Sequence, residues 1–131
     1  MKYLCLLYAA EDTIPAPGTP GFGDVRAANV AATGAMTKAG VLVDSGPLQP
    51  VRSATTLRVR DGETLLTDGP FAELKEQIGG YYLLECASLD DALRWAATIP
   101  AARSGSVEVR PVAEDAATLQ ALGFTGQGVA E

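Results

Sequence analysis

The stretch Thr67–Glu85, TDGPFAELKEQIGGYYLLE, joins a turn to a strand and decides how the rest of the chain is interpreted. Asp68-Gly69-Pro70 is a strong turn signal, because an Asp side chain can accept backbone N–H groups two residues on, Gly tolerates unusual φ and Pro fixes its own φ. The segment Gly80–Cys86 that follows is apolar on both of its alternating faces. A strand of this kind is expected to be covered on both sides.

The same two-sided pattern occurs at the start of the chain, in Lys2–Tyr8 (KYLCLLY). Ile14–Gly23 contains three prolines and three glycines, which predicts either an irregular surface loop or a lid over a cleft. Asp24 is predicted to cap a helix that runs to about Ala39 with a stripe made mostly of alanine. Gly40 stands where a glycine would end that helix.

The second half of the chain continues with strands and one more helix. Asp61-Gly62 lies between two β-rich runs and predicts a hairpin with a type I′ turn. Ser88 opens a capped helix that Pro100 closes, and Ser106–Val112 is a last alternating strand. A short amphipathic segment, Asp115–Leu122, precedes an end (GFTGQGVAE) that is predicted to fray.

The predicted order of elements is β, α, β, hairpin, β, α, β. Without the hairpin this order is βαββαβ, the ferredoxin-like α+β fold. Two helices can cover one face of a four-stranded sheet, so the apolar second face needs a partner. We therefore predict a homodimer in which two sheets face each other. The predicted domain is 1–113, and 114–131 is a C-terminal tail with a short helix, partly flexible.

Composition excludes several classes of function. The chain has 131 residues, 47% of them hydrophobic, and a formal net charge of −6. This charge disfavours nucleic acid and anionic membranes as partners. No run approaches the ~20 apolar residues of a membrane span, and the N-terminus lacks the pattern of a secretory signal, so a cytoplasmic protein is expected. Cys5 and Cys86 are expected to be buried free thiols; a redox pair is the alternative, but no CxxC motif supports it.

The absence of histidine is equally informative. It removes the commonest general base and the commonest zinc ligand, so Ser–His–Asp and Cys–His chemistry are excluded within one chain. No cofactor and no metal site are predicted.

One long motif carries a family resemblance. Asp68-Gly69-Pro70-Phe71, continued by Ala72-Glu73-x-Lys75-Glu76-Gln77-x-Gly79-Gly80-Tyr81-Tyr82, resembles the DGPF-type YCII-related proteins. Matches also lie in MKYLCLLY, in VRDGETLLTDGP and in SVEVRPV. The resemblance implies a ferredoxin-like fold that pairs into a dimeric α/β barrel.

The resemblance also implies a site built from a histidine and an aspartate, with Arg-x-x-His in the first helix of several relatives. Here the matching residues are Arg26-Ala27-Ala28-Asn29. An Asn side chain donates and accepts hydrogen bonds but has no useful proton affinity near neutral pH, so a histidine-dependent mechanism does not carry over.

Two carboxylates are open to two interpretations each. Asp68 either holds the turn, with Phe71 filling the core, or lies at the barrel mouth as a general acid or base, where it would face Lys75, Glu76 or Tyr81. Glu85 is either one half of an ion pair with Arg110 or a polar group inside a ligand cavity.

The sequence therefore predicts a protein that binds an unknown small molecule in a cleft near the DGPF loop. Asp68 is its candidate catalytic residue, and the candidate ligand contacts are Tyr81, Glu85, Lys75, Arg110 and Asn29. Two alternatives stay open. One is a histidine-independent isomerase, lyase or hydrolase with Asp68 as its acid–base; the other is a structural or partner-binding dimer.

Overall fold

The computed structural model describes residues 1–124; residues 125–131, which hold most of the end predicted to fray, lie outside the described residues. The strands are β1 (Lys2–Ala9), β2 (Leu42–Pro47), β3 (Thr55–Arg60), β4 (Glu63–Asp68), β5 (Gln77–Glu85) and β6 (Ser106–Pro111). The helices are α1 (Pro20–Lys38), α2 (Leu89–Ala96), α3 (Ala101–Ser104) and α4 (Ala116–Leu122).

The strands form two antiparallel sheets. The larger has the order β2-β5-β1-β6, and the smaller is the β3–β4 hairpin. β1 is central and pairs with β5 on one side and β6 on the other. Within the described residues the class is therefore mixed α+β, as predicted, and the sheets do not close into a barrel. The pairing of two chains stays a prediction.

Helix α1 begins earlier than predicted. Its N-cap is Thr19, whose hydroxyl accepts the Phe22 N–H at 3.3 Å, and Pro20 is its first residue. Proline suits this position because its missing N–H would be unpaired in the first turn and its φ is already helical. The cap at Asp24 and a loop reaching Gly23 were therefore wrong, whereas the glycine stop at Gly40 is confirmed by its φ of +73°.

The second helix starts as predicted. The Ser88 hydroxyl accepts the Asp91 N–H at 3.2 Å, and α2 follows directly. The helix ends at Ala96, before Pro100, and a further turn forms α3. In the tail, the Asp115 carboxylate caps α4 by accepting the Thr118 N–H at 2.9 Å.

The hydrophobic core lies on one side of the large sheet. Every second residue of β1 and β5 points to this side and packs against α1 and α2. Met36, Leu84 and Ile99 are among the fully buried side chains of the core. Cys5 and Cys86 belong to this cluster and are free thiols, which confirms the prediction. Burial raises the pKa of Cys5 to about 11, because the thiolate is poorly solvated there.

The other side of the large sheet, called here the open face, carries a second set of apolar residues. Leu4, Leu6 and Tyr8 of β1 and Leu83 of β5 are only half-buried. They alternate with the core residues of the same strands, as the two-sided pattern requires.

The hairpin β3–β4, called here the arm (Thr55–Asp68), extends from the body as a separate sheet. Asp61 and Gly62 have φ of 50° and 77°, so both central residues are left-handed and the predicted type I′ turn is confirmed. Phe71, just beyond the arm, is 80% exposed. The expectation that Phe71 fills the core was therefore wrong.

Candidate functional site

A cavity of about 340 Å3 lies where α1 meets β2 and β5. Helix α1 contributes Asn29 and Thr33, which are one turn apart and so share a helix face. Strand β2 contributes Ser45, whose register partner in β5 is Tyr82. The complete lining is Leu7, Asn29, Thr33, Ser45, Gly46, Pro47, Gly79, Gly80 and Tyr82.

Two consecutive glycines shape the sheet side of this cavity. Leu7 pairs with Gly80 and Tyr8 with Ile78, so Gly79 is the extra residue of a β-bulge. A Cβ on Gly80 would come within 3.0 Å of the Gly46 carbonyl oxygen and 3.4 Å of Leu7 Cδ1. The pair therefore combines a bulge with a close backbone approach, the two roles expected of glycine inside a strand.

The cavity offers hydrogen-bonding groups that the protein itself does not use. Within residues 1–124, the side chains of Asn29, Ser45 and Tyr82 make no hydrogen bond, and none of their polar atoms is fully enclosed. Thr33 differs, since its hydroxyl donates to the Asn29 carbonyl at 2.9 Å. An amide and two hydroxyls are therefore free to donate and accept.

No lining side chain carries a formal charge. Burial raises the pKa of Tyr82, so the phenol stays protonated at neutral pH. The rest of the wall consists of Leu7, Pro47, Thr33 and three glycines. Within the described residues, no cluster of His, Cys, Asp and Glu is arranged to hold a metal ion. The side chains that line the cavity are therefore all neutral.

Tyr81 lies on the opposite side of β5 from this cavity. Its hydroxyl donates to the Asp44 carboxylate at 3.0 Å, and this hydrogen bond raises the pKa of Tyr81. A Cβ on Gly46 would meet the Tyr81 ring at 3.3 Å, so the ring lies over that glycine. Asp44 was not among the predicted site residues. A register shift between Leu42 and Asp44 brings it next to Tyr81, and nothing in the sequence signals that shift.

Asp68 lies at the base of the arm and is exposed. Its side chain makes no hydrogen bond within the described part of the chain. The turn is held instead by the Gly69 N–H, which donates to the Ala54 carbonyl at 2.7 Å, and by the Thr56 hydroxyl, which donates to the Gly69 carbonyl at 2.8 Å. Lys75 is also exposed, and neither Asp68 nor Lys75 lines the cavity. A catalytic role for Asp68 stays a prediction.

Glu85 does not pair with Arg110, contrary to the first interpretation of Glu85. Its carboxylate lies 2.6 Å from the amino group of Met1, whereas Arg110 Nε lies 3.9 Å from Glu108. The register explains the difference, because Glu85 is opposite Lys2 and Arg110 is opposite Leu4 across β1. Two strand spacings and two residues separate them, roughly 12 Å between Cα atoms.

Comparison with known proteins identifies the family. A family model described as the YCII-related domain matches residues 1–115. The chain belongs to the YCII-related family. An uncharacterised protein of Rhizobium meliloti (strain 1021) is 51% identical over 78 residues, which are 58% of this chain and 63% of that protein.

A solved structure is similar to this YCII-related chain at the level of the fold. It is 5-chloro-2-hydroxyhydroquinone dehydrochlorinase from Burkholderia phenoliruptrix AC1100, in complex with 2,5-dihydroxybenzoquinone. The TM-score is 0.47 at 17% identity, over 88% of this chain and 96% of that chain.

Of the six predicted site residues, the structure brings Asn29 alone to the cavity. This is the position at which the resemblance implies a histidine in other YCII-related proteins. Tyr81, Glu85 and Arg110 belong to the open face, and Asp68 and Lys75 lie in and after the arm. No sequence signal pointed to Thr33, Ser45 or Tyr82 as site residues; Thr33 lies within the predicted first helix and Tyr82 within a predicted strand.

Proposed function

We propose that this YCII-related protein binds a small neutral molecule in the cavity between α1, β2 and β5. The observation that carries the proposal is the unused hydrogen-bonding capacity of Asn29, Ser45 and Tyr82 around a cavity of about 340 Å3. Pockets that combine apolar walls with a few convergent polar groups are the common form of small-molecule sites. Because no group there can act as a strong base, binding fits the cavity better than acid–base chemistry does.

The size and charge of the cavity limit the ligand. At ~30 Å3 per water, the cavity corresponds to about 11 waters, or roughly 10–15 non-hydrogen atoms. The lining offers no cation for a carboxylate or phosphate, and the net charge of −6 repels anions. The ligand class is therefore a neutral compound with an apolar body and both a donor and an acceptor, such as a phenol, a lactone or an amide.

The site proposed here differs from the cleft near the DGPF loop that the sequence suggested. None of Asp68, Gly69, Pro70 and Phe71 lines the cavity. A histidine-independent reaction at Asp68 stays a prediction, and no contact within the described residues favours it over binding.

We further propose a ferredoxin-like fold that forms a homodimer through the open face. The sheet order β2-β5-β1-β6 supports the fold, because it follows from βαββαβ connections once the arm is set aside. The half-buried Leu4, Leu6, Tyr8 and Leu83 support the dimer, since an apolar sheet face is stabilised when a second sheet covers it. Size-exclusion chromatography with light scattering tests it: twice the mass of the chain is expected, and a monomer at micromolar concentration would contradict it.

The binding proposal is tested with a thermal-shift screen of neutral phenols, lactones and amides, run beside the matching carboxylic acids. A neutral ligand at 100 times its Kd adds ~2.7 kcal/mol to the stability, which raises the melting temperature by several degrees. We expect hits among the neutral compounds and none among their acids.

Two threonines of α1 provide a matched pair of variants. Thr33 and Thr37 each donate a hydroxyl hydrogen bond to the carbonyl four residues back, at 2.9 and 2.8 Å, but only Thr33 lines the cavity. Thr33→Leu should fill part of the cavity and abolish the response, whereas Thr37→Leu should keep it. Equal responses in the two variants, hits confined to the acids, or no hit at all would refute the proposal.

A further inference from the structure

Ser45 reaches the cavity from β2, a strand at the edge of the large sheet that is paired on one side only. After the register shift, β2 pairs with β5 over Asp44–Pro47. The Leu48 N–H donates to the Gly79 carbonyl at 2.9 Å and so points towards β5. Backbone N–H groups of an antiparallel strand alternate in direction, so the Ser45 N–H, three residues earlier, points away from β5. The sheet therefore leaves this N–H without a backbone partner.

The Asp44 carboxylate supplies the missing partner. Its Oδ1 accepts the Ser45 N–H at 2.9 Å, and its Oδ2 accepts the Tyr81 hydroxyl at 3.0 Å. Both oxygens of one side chain are thus used, one by the backbone of β2 and the other by a side chain of β5. Hydrogen bonds to a carboxylate are roughly twice as strong as those between neutral groups. Asp44 therefore fastens the peptide group of Ser45 to the neighbouring strand.

Gly46 makes room for this arrangement. It pairs directly with Tyr81, so a side chain at position 46 would point to the same side as the phenol ring. A Cβ there would lie 3.3 Å from Tyr81 Cε1 and 3.5 Å from the Tyr81 hydroxyl oxygen. The ring crosses Gly46 because Asp44, two residues away along β2, is the diagonal neighbour of Tyr81. Ser45 lies between Asp44 and Gly46, so its side chain points to the opposite side, where it lines the cavity.

We propose that Asp44 and Tyr81 are positioning residues, which hold the Ser45 hydroxyl in the orientation that a ligand in the cavity meets. Neither residue lines the cavity, so both act through Ser45. Ser45 and Tyr82 are directly opposite in a pair that shares no backbone hydrogen bond, and the Cα atoms of such a pair are about 4.5 Å apart. Fixing the peptide group of Ser45 therefore keeps two of the free polar groups of the cavity beside each other. The inference rests on the binding function proposed above and names the residues that prepare the site.

A double-mutant cycle on Tyr81 and Ser45 provides the test. Tyr81→Phe removes the hydroxyl and keeps the ring over Gly46. Tyr8→Phe is the matched control, because Tyr8 lies on the same open face and its hydroxyl makes no hydrogen bond within the described residues. The probe is para-hydroxybenzamide, a neutral phenol and amide, or the strongest neutral hit of the screen if this compound does not bind. Isothermal titration calorimetry measures its dissociation constant.

The cycle separates a positioning role from a merely structural one. Ser45→Ala should raise the dissociation constant about 5-fold, which is the equivalent of one neutral hydrogen bond. Tyr81→Phe should raise it about 3-fold in the native chain but less than about 1.5-fold in the Ser45→Ala chain, because no hydroxyl is then left to orient. Tyr8→Phe should leave the dissociation constant unchanged in both chains.

Asp44 offers a second pair of variants. Asp44→Asn keeps an oxygen for the Ser45 N–H and a polar group for the Tyr81 hydroxyl, whereas Asp44→Ala removes both. We expect the dissociation constant of Asp44→Asn to stay within about 2-fold of the native value and that of Asp44→Ala to rise at least about 3-fold. Far-ultraviolet circular dichroism checks folding, and the cycle on Tyr81 decides alone if Asp44→Ala does not fold.

The outcomes distinguish this inference from the proposed function. Equal effects of Tyr81→Phe with and without the Ser45 hydroxyl, or equal effects of Tyr81→Phe and Tyr8→Phe, would overturn the positioning role and leave the binding function in place. Equal losses in Asp44→Asn and Asp44→Ala would also reject the positioning role. A wild type that binds no neutral compound overturns the binding function, and this inference with it.

Discussion

Replacing Gly80 with alanine places a methyl group between two strands at the wall of the cavity. The new Cβ would lie 3.0 Å from the Gly46 carbonyl oxygen, 3.4 Å from Leu7 Cδ1 and 3.5 Å from Pro47 Cα. Two of these three neighbours are backbone atoms, which can move only if β2 separates from β5. Gly79 is the natural control, because a Cβ there meets nothing within 4 Å.

The magnitude follows from the difference between the two glycines. Both substitutions reduce the entropy of the unfolded chain and so gain about 0.4–1 kcal/mol. At Gly80 overpacking costs about 1–3 kcal/mol in addition, whereas Gly79 has space. The free energy of unfolding of Gly80→Ala should therefore be about 1–3 kcal/mol below that of Gly79→Ala. For a domain of this size the melting temperatures should differ by roughly 3–12 °C.

The assay is equilibrium unfolding in urea, followed by circular dichroism. With an m-value of ~2 kcal/mol/M, a difference of 2 kcal/mol separates the two midpoints by about 1 M. Gly80→Ala should also bind neutral ligands more weakly, because its methyl group enters the cavity. Equal midpoints for the two variants would refute the close approach of β2 and β5, and with it the described shape of the cavity.

Three further predictions concern single side chains. At pH 8 Cys5 of the folded protein, with its pKa of about 11, should react with iodoacetamide about 200-fold more slowly than Cys5 of the chain unfolded in urea. Mass spectrometry measures both rates, and comparable rates would contradict the burial of Cys5. The hydrogen bond from Thr118 lowers the pKa of Asp115, so the cap stabilises α4 above the ordinary Asp pKa and this stability is lost as the pH falls below about 4. Amide exchange in α4 measures the loss, and Asp115→Asn is the control in which the pH dependence should disappear. Asp68→Asn should change the free energy of unfolding by less than ~0.5 kcal/mol, because the Asp68 carboxylate makes no hydrogen bond within the described residues. A larger loss of stability in urea would indicate that Asp68 holds the turn.

The elements that the sequence predicted well are those in which local chemistry decides. Asp61-Gly62 formed its type I′ turn because both residues accept positive φ, and Ser88 capped α2 because its hydroxyl reaches the N–H three residues on. The two-sided apolar pattern predicted strands at Lys2–Tyr8 and Gly80–Cys86, and both form, as β1 and β5. In each case the structure is determined by residues that lie within a few positions of one another in the sequence.

Errors arose where two local signals competed. Three prolines and three glycines predicted a loop to Gly23, yet Thr19 caps a helix that starts at Pro20. Proline and glycine disfavour the interior of a helix, but the first turn tolerates them, and propensity alone does not say which turn is the first. Phe71 was assigned to the core from its hydrophobicity, although the arm and the loop after it lie outside that core.

The cavity could not be predicted, because its lining depends on register. Ser45 reaches Tyr82, and Gly80 reaches Gly46 and Leu7, only after the bulge at Gly79 and the shift before Asp44 have set the pairing of three strands. Such offsets change which side chains meet without altering the hydrophobic pattern. Asn29 was found through the family resemblance rather than through any property of its neighbourhood.

The central place of β1 has a consequence for how the protein is made. Tyr3 pairs with Leu84 on one side and with Pro111 on the other, so both neighbours of the first strand are synthesised late. At about 5–20 residues per second, a ribosome needs roughly 5–20 s to travel from β1 to the end of β6. β1 therefore stays without either neighbouring strand until β5 has been made, and the order β2-β5-β1-β6 is complete only after β6 follows.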